Sequence, residues 1–495
     1  MPCSIRCRVS PVILRITGLR FFLKETEGQQ TLGNDRRKKE MKAKTVRKQN
    51  DFTEGPIVLP LLRFVGPVLF ALFLQAMYGA VDLMIVGRYT ESALQAAHVS
   101  AVSTGSQIMM TITSLISSLA MGMTVLIGEK IGQKKPEAGG KIAGSGILLF
   151  LVIGIFMTGL TVLFAGNLAA LMQAPPEAFD FTVDYIRICG MGSLVIIAYN
   201  LIGSIFRGIG DSATPLVTVM IACFCNIAGD YILVALCGMG ARGAAIATVL
   251  AQFISVAASL LLIRKKNLPF RFSRECLKWD GGIVGRILLL GTPIALQDLL
   301  VGISFLVILA IVNSLGVIES AGVGVAEKVC GFIMLVPAAF MQSMSAFTAQ
   351  NRGAGRNDRA VRGFVSAVLI SAAFGAAMFF LSFFHGDLLS GIFAKDPLVI
   401  EASFQYLKAY AIDCLLTCFL FCFIGFFNGM EYTAFVMVQG IIGAFLVRVP
   451  VSFIMSRQVP VSLFRIGLAT PCSSFLQILM CFGCFAFWMR KQKRK

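Results

Sequence analysis

Twelve long apolar stretches alternate with short polar connections along the chain. They fall at about 57–87, 94–127, 142–165, 181–207, 213–237 and 241–263, then at 286–313, 320–347, 363–384, 401–428, 433–456 and 466–489. A stretch of ~20 apolar residues is what a helix needs to cross a hydrocarbon core. None of them shows the open apolar–polar alternation of a membrane barrel strand, so the pattern predicts an all-α polytopic membrane protein with twelve transmembrane helices. Glycine, proline, serine and threonine recur inside the spans, where they permit close helix contact and local kinks. Composition agrees: 57% of the 495 residues are hydrophobic and 14% are charged. That excludes a soluble enzyme, a secreted disulfide scaffold and a disordered chain.

The spans divide into two sixes at the hydrophilic stretch between Arg264 and Arg286. Motifs recur across that boundary. Val65-Gly66-Pro67 pairs with Gly291-Thr292-Pro293, and Glu91-Ser92-Ala93 with Glu319-Ser320-Ala321. Gly132-Gln133-Lys134 pairs with Gly353-Ala354-Gly355-Arg356, and Arg207-Gly208-Ile209-Gly210-Asp211 with Asn428-Gly429-Met430-Glu431. Every pair keeps nearly the same separation along the chain, which reads as an internal duplication. Six helices is an even number, so the halves share one orientation. Two six-helix lobes related by a pseudo-two-fold axis along the membrane normal are expected, with a cavity between them. The expected organisation is an N-lobe over 56–264, a connecting loop over 265–285, a C-lobe over 286–489 and a basic tail over 490–495. Residues 1–55 form a basic extension whose natural start is expected at Met41, since the sequence around it suits an N-terminus better.

The net charge of +18 changes meaning once it is placed. With the N-terminus in the cytoplasm, the cytoplasmic loops and the C-terminal tail hold 21 Lys and Arg residues, against 5 on the opposite side. The first 55 residues add 13 more to the cytoplasmic side. This positive-inside bias predicts that both termini are cytoplasmic, with the lipid bilayer as the partner of the charge and no nucleic acid. The 14 cysteines lie mostly within spans and are read as small packing residues; only two histidines accompany them, His98 and His385.

Ionisable residues inside spans are costly and therefore informative. Asp82 lies in the first span and Asp230 in the fifth, with Tyr78 and Asn226 each four residues earlier on the same helix face. Thr248 sits in the sixth span. Asp82, Asp230 and Thr248 are five, seven and seven residues from the outer ends of their spans, which puts them roughly 7–11 Å below the outer surface. Asn200 in the fourth span is a deeper candidate member of the same N-lobe cavity. Two carboxylates held together out of water cannot both stay ionised cheaply, so the pair could take a proton. Alternatively, Asp82, Asn226, Asp230 and Thr248 offer hard oxygen ligands suited to Na+. In the second half, Gln297, Asp298, Asp413 and Arg448 are candidate substrate or ion-pair residues. Asp298, Asp413 and Arg448 sit about 12–15 residues into their spans, so they could meet near the midplane. No nucleotide-binding lysine loop and no hydrolase motif is found, so neither ATP-driven nor hydrolytic chemistry has residues to run on.

Several of these segments resemble the multidrug and toxic compound extrusion (MATE) transporters, and the DinF-like bacterial branch in particular. The stretch Asp51-Phe52-Thr53-Glu54-Gly55-Pro56-Ile57 before a Pro67-containing helix is similar to that family's opening. So are Val81-Asp82 with Val86-Gly87-Arg88, and Arg207 through Pro215. The fullest likeness runs from Cys225 through Asn226 and Asp230 to Ile232, and from Gly243 to Thr248. It extends over about 51–490. The resemblance implies a monomeric, multi-pass protein of the bacterial cytoplasmic membrane that is not an enzyme and has no resident cofactor. It would export cationic or lipophilic small molecules by alternating access, in antiport with H+ or Na+. By motif, Asp82, Asn226 and Asp230 resemble the family's coupling residues, and Tyr78, Asn200 and Thr248 their surroundings. Glu129 departs from the pattern, standing where the family often has the glutamine that this chain keeps at Gln350. The alternative reading is a lipid-linked saccharide flippase of the same superfamily.

Overall fold

The computed structural model describes residues 52–91, 94–266, 268–270 and 276–494. The expected Met41 start and the basic extension up to residue 51 lie outside the described residues. The described chain is helical throughout its long segments. Its spans are α1 (Val58–Tyr89), α2 (Gln95–Gly132), α3 (Pro136–Leu163), α5 (Ala213–Leu236), α6 (Gly240–Lys265) and α7 (Gly281–Asn313). They continue with α8 (Val317–Gly353), α9 (Asn357–Gly391), α10 (Pro397–Gly429), α11 (Thr433–Ser456) and α12 (Leu463–Gln492). Between α3 and α5 lies α4, a pair of helices, Pro176–Met191 and Ser193–Gly208, bent by 54° at Gly192. Counting α4 as one span gives the twelve expected, in two lobes of six.

The bend in α4 has a local cause. A Cβ on Gly192 would stand 2.5 and 2.6 Å from the two methyl carbons of Val249 on α6, so only glycine lets α4 turn against that helix. Two further departures from α geometry fall in the fifth span of each half, about ten residues out of register with the duplication. The ends of α5 (Tyr231–Leu236) and of the first part of α11 (Ile442–Arg448) are π-helical, and such segments often mark functional sites.

The first span of each half crosses between lobes. Leu61, Phe64, Val65 and Val68 of α1 pack into a core built from α8, α9, α10 and α12, whereas Val86 near its other end packs with α2, α4 and α6. Reciprocally, Val284, Ile287 and Leu290 of α7 join an N-lobe core, while Ile308 and Val312 join a C-lobe one. Pro293 sits between the two packed parts of α7, and Pro67 lies within the C-lobe-packed part of α1. Contact with α2 reaches the backbone, because a Cβ on Gly122 would lie 2.7 Å from the carbonyl oxygen of Ile287. Residues 52–55, placed by sequence with the extension, belong to this packing. Phe52 is fully buried between Phe64 and Phe347, at ring distances of 5.2 and 5.3 Å. Arg359 donates to the carbonyls of Phe52, Glu54, Gly55 and Pro56 at 2.7–3.2 Å, and Asn351 and Arg356 hold those of Phe52 and Thr53. The described parts of the inter-lobe loop also pack down, with Phe270 against Gly140 and Ser145 donating to the carbonyl of Lys278.

The lobes are joined by polar contacts at the face that carries residue 52 and the last described residues. Gln350 donates to the carbonyl of Gly208 at 3.0 Å. Arg286 reaches Glu129 at 3.3 Å and Glu431 at 3.0 Å, and Arg352 grips Glu431 with two contacts of 2.9 Å. Burial alone would raise the Glu431 carboxyl. The hydrogen bond and charge of Arg352, with the charge of Arg286, outweigh that and hold it below the ordinary glutamate value of 4.5.

This packing and this charge network can each be tested through stability. Replacing Gly192 by Leu overpacks the α4–α6 contact and is expected to cost about 1–3 kcal/mol, read as a lowered unfolding midpoint in detergent, with Ala in its place costing less. A carboxyl lowered on folding stabilises the fold fully above its unfolded value and loses that contribution as pH falls through the folded value. Glu431→Gln should therefore be less stable than the parent at neutral pH. The gap between their unfolding midpoints should narrow once the pH drops below 4.5.

Candidate ion-coupling site

The N-lobe residues singled out by depth and spacing converge. Asp82 on α1 and Asp230 at the end of the α-helical part of α5 are both buried, at 5% and 0% exposure, with Asn226 at 2%. Beside Asp230, small residues let α5 and α6 come close: Gly229 and Gly243 stand where the two helices touch, and a Cβ on Gly229 would lie 3.0 Å from Ala247. The side chains of Asp82 and Asp230 lie within hydrogen-bonding reach of each other, with Asn226 beside Asp82. Neither carboxylate carries a donor, so the contact becomes a hydrogen bond only when one of them holds a proton. Both oxygens of Asp230, one of Asp82 and the amide oxygen of Asn226 are buried without a partner. Thr248 donates to the carbonyl of Ala244 at 2.9 Å, and its oxygen lies 3.5 Å from the Asn226 amide nitrogen.

Four buried acceptor oxygens without a partner leave an unfilled demand for positive charge. A proton on one carboxyl or a small cation among the oxygens would meet it. No group of three His, Cys, Asp or Glu side chains comes together among the described residues. What the site offers is therefore two carboxylates, an amide and a hydroxyl, a set for H+ or a hard monovalent cation rather than for a soft metal.

The surrounding positions divide. Tyr78 stands near Asp82, with Tyr199 and Cys223 beside it. Asn200 is held elsewhere: it accepts from Ser117 of α2 at 2.8 Å and donates to the carbonyl of Ile196. Tyr185 was missed by sequence reasoning. It is 3% exposed and touches Thr248 within the electrostatic reach of both aspartates. The space for its ring comes from Gly105 on α2, where a Cβ would lie 2.9 Å from the ring carbon Cγ. The duplication carried a signal for it, since Tyr406 occupies the matching position of the second half and is likewise buried among acids of its own lobe.

The C-lobe candidates do not meet as one group. Asp413 lies by Ser474 and within reach of the Arg448 charge, although the two make no direct ion pair. Arg448 donates to Ser304 at 3.1 Å and stacks over Phe305 at 4.4 Å. Asp298 is apart from both, because its carboxylate accepts from Ser118 of the other lobe. The expected midplane meeting of Asp298 with Asp413 and Arg448 is thus corrected: α7 leans onto α2 at that level and turns Asp298 toward it. Gln297 packs against Gly440 of α11, whose Cβ would lie 2.8 Å from it. Glu327, on α8, has a buried carboxylate oxygen with no partner and neighbours Tyr406 and Cys330.

Comparison with known proteins bears on this architecture. The chain is 24% identical over 448 residues to a Bacillus subtilis protein named probable multidrug resistance protein YoeA, covering 87% of this chain and 94% of that one. It is 23% identical over 422 residues to the probable multidrug resistance protein NorM of Thermotoga maritima, covering 82% and 86%. Among solved structures, an outward-facing multidrug resistance MATE transporter superposes with a TM-score of 0.83 at 18% identity, over 90% of this chain and 99% of that one. That likeness establishes the twelve-helix, two-lobe fold. The MatE family model matches residues 67–232 and 293–454, one segment in each half of the duplication and more than half of the chain together. The protein, a many-helix membrane transporter and not an enzyme, belongs to the MatE family.

Proposed function

We propose that this chain is a secondary active exporter of cationic or lipophilic small molecules, working by alternating access in antiport with H+ or Na+. The observation that carries the reading is the buried Asp82–Asp230 contact, with its unpartnered oxygens and the amide of Asn226 alongside. A cation bound there is stabilised in the arrangement that shields it. A site opened to water instead solvates its carboxylates and releases the cation. Coupling needs that difference in affinity between two states and nothing more. The basic residues of the terminal face support a reading in which both termini lie on the cytoplasmic side of a bacterial plasma membrane. The joined lobes at that face then correspond to an outward-open arrangement.

Two observations support drug export over lipid-linked saccharide flipping. The relatives are named for multidrug resistance. The unsatisfied intramembrane groups of the N-lobe site are acidic, whereas a pyrophosphate headgroup calls for cations. The C-lobe residues Gln297, Asp298, Asp413 and Arg448 enter this reading as lining and bracing residues, with Arg448 the one fixed positive charge among them.

Asp82→Asn and Asp230→Asn, reconstituted in proteoliposomes with the parent as reference, should each lose transport of a lipophilic cation by at least about tenfold while inserting normally. Imposing a pH gradient and a sodium gradient separately identifies the coupling ion. Full transport by both variants, or drive by neither gradient, would sink the proposal.

A further inference from the structure

The cytoplasmic junction repeats itself about the pseudo-two-fold axis. A Cβ on Gly132 would overlap the carbonyl oxygen of Gln350, and one on Gly353 would overlap that of Glu129. Gly132 and Gly353 are matching positions of the duplication, and so are Glu129 and Gln350, which makes these one contact seen from two sides. The last turns of α2 and α8 cross backbone to backbone. A third pair obeys the same spacing. Gly208 sits against α2 as Gly429 sits against α8, with a Cβ on Gly208 3.0 Å from the Thr124 carbonyl and one on Gly429 2.7 Å from that of Ser345.

Chemistry breaks the symmetry at one position. Gln350 uses its amide to donate across the junction to the carbonyl of Gly208. Its counterpart Glu129 has no proton to donate and cannot make the matching bond to Gly429. It accepts instead from Gln133 at 2.6 Å and from Arg286. Glu431 of the C-lobe takes the same Arg286, and the carboxylates of Glu129 and Glu431 lie side by side. Each acid also keeps a cation of its own lobe, Lys130 at 3.4 Å for Glu129 and Arg352 at 2.9 Å for Glu431. Among the described residues, Arg286 is therefore the charge that pairs with an acid of each lobe. When the lobes part it can leave either acid without stranding that acid unpaired, which distinguishes a releasable clasp from a permanent brace.

We propose that Arg286, bridging Glu129 and Glu431 over the Gly132–Gly353 crossing, is the cytoplasmic latch that sets how often this side of the transporter opens. This rests on the alternating-access reading for its meaning in transport, but its physical test does not need transport. Without Arg286 the two neighbouring carboxylates repel each other across the junction. Removing the repulsion by Glu129→Gln should close it again, because the new amide can donate to the carbonyl of Gly429 as Gln350 does to that of Gly208.

The experiment is amide hydrogen exchange on the full chain in lipid nanodiscs, reading peptides from the ends of α2 and α8 and, as a folding control, peptides around His98 and Val317 at the opposite face. Arg286→Gln should speed exchange at the α2 and α8 ends by at least about tenfold, leaving the opposite face at parental protection or better. Arg286→Lys should stay close to the parent. Arg286→Gln combined with Glu129→Gln should return most of the protection. Unchanged exchange in Arg286→Gln would overturn the latch. So would a double variant as open as the single one, since repulsion would then not be the cause. Loss of protection at both faces in Arg286→Gln would mean a folding brace and would equally overturn it. Failure of the transport reading would show separately, as absent gradient-driven uptake by the parent.

Discussion

Two carboxyl groups face each other inside a helical bundle with no donor between them, and the surrounding design follows from that. In water such a contact would be dispersed by solvent; within the membrane it can be relieved only by a proton or cation, or by separation. The fold prevents separation. Asp82 is held on α1 and Asp230 on α5, and glycines and alanines let α6 pack closely against α5 at Asp230. Apolar burial gives little drive for helices to associate in lipid, so small residues and polar contacts must hold the cluster in place. The site's appetite for positive charge is thus a property of the scaffold as much as of the two aspartates.

The duplication supplies the scaffold twice and the chemistry once. Both fifth spans loosen into π-helix where charged residues sit, Asp230 just before one segment and Arg448 at the end of the other. In the N-lobe the result is two acids without a cation. In the C-lobe, Arg448 lies within reach of Asp413 and is itself occupied by Ser304 and Phe305. The duplicated fold therefore holds two acids without a cation in one lobe, and acids with an arginine among them in the other, where Asp413, Glu327 and Arg448 each still keep a buried atom without a partner. Glu129 and Gln350 repeat the theme where the lobes are joined. There a single oxygen in place of an amide nitrogen converts a direct inter-lobe hydrogen bond into a shared arginine.

Much of this was legible in the sequence because membranes make mistakes expensive. The twelve spans show as long apolar runs, and Asp82, Asn226 and Asp230 show because no bilayer tolerates them without a use. What the sequence could not carry is anything that depends on how helices lean. Asp298 sits at a depth compatible with Asp413, yet the close crossing of α7 on α2 gives it to Ser118. Tyr185 looks like an ordinary aromatic until Gly105 is seen to make room for its ring. Residues 52–55 read as the end of a basic tail, because five arginine contacts to backbone carbonyls leave no mark on composition. The bend at Gly192 is hidden for a similar reason: its partner, Val249, belongs to α6 and is remote along the chain.

The crossing of α1 and α7 ties the Asp82–Asp230 pair to the Arg286 junction. α1 carries Asp82 in the packing of one lobe and Phe64 in the packing of the other, so a shift of either lobe must be absorbed along its length. A straight helix transmits displacement with little loss. A proline removes one backbone hydrogen bond and gives the helix a preferred place to flex. Pro293 in α7 occupies that place, between the part packed on the N-lobe and the part packed on the C-lobe, while Pro67 in α1 lies within the part packed on the C-lobe. Arg286 lies on α7 before Pro293, in the portion that packs with the N-lobe, yet it holds Glu431 of the C-lobe. Neutralising the aspartate pair and releasing the arginine are thus events at opposite faces of one mechanically continuous frame. Neither can change position without loading the two proline-bearing helices that connect them.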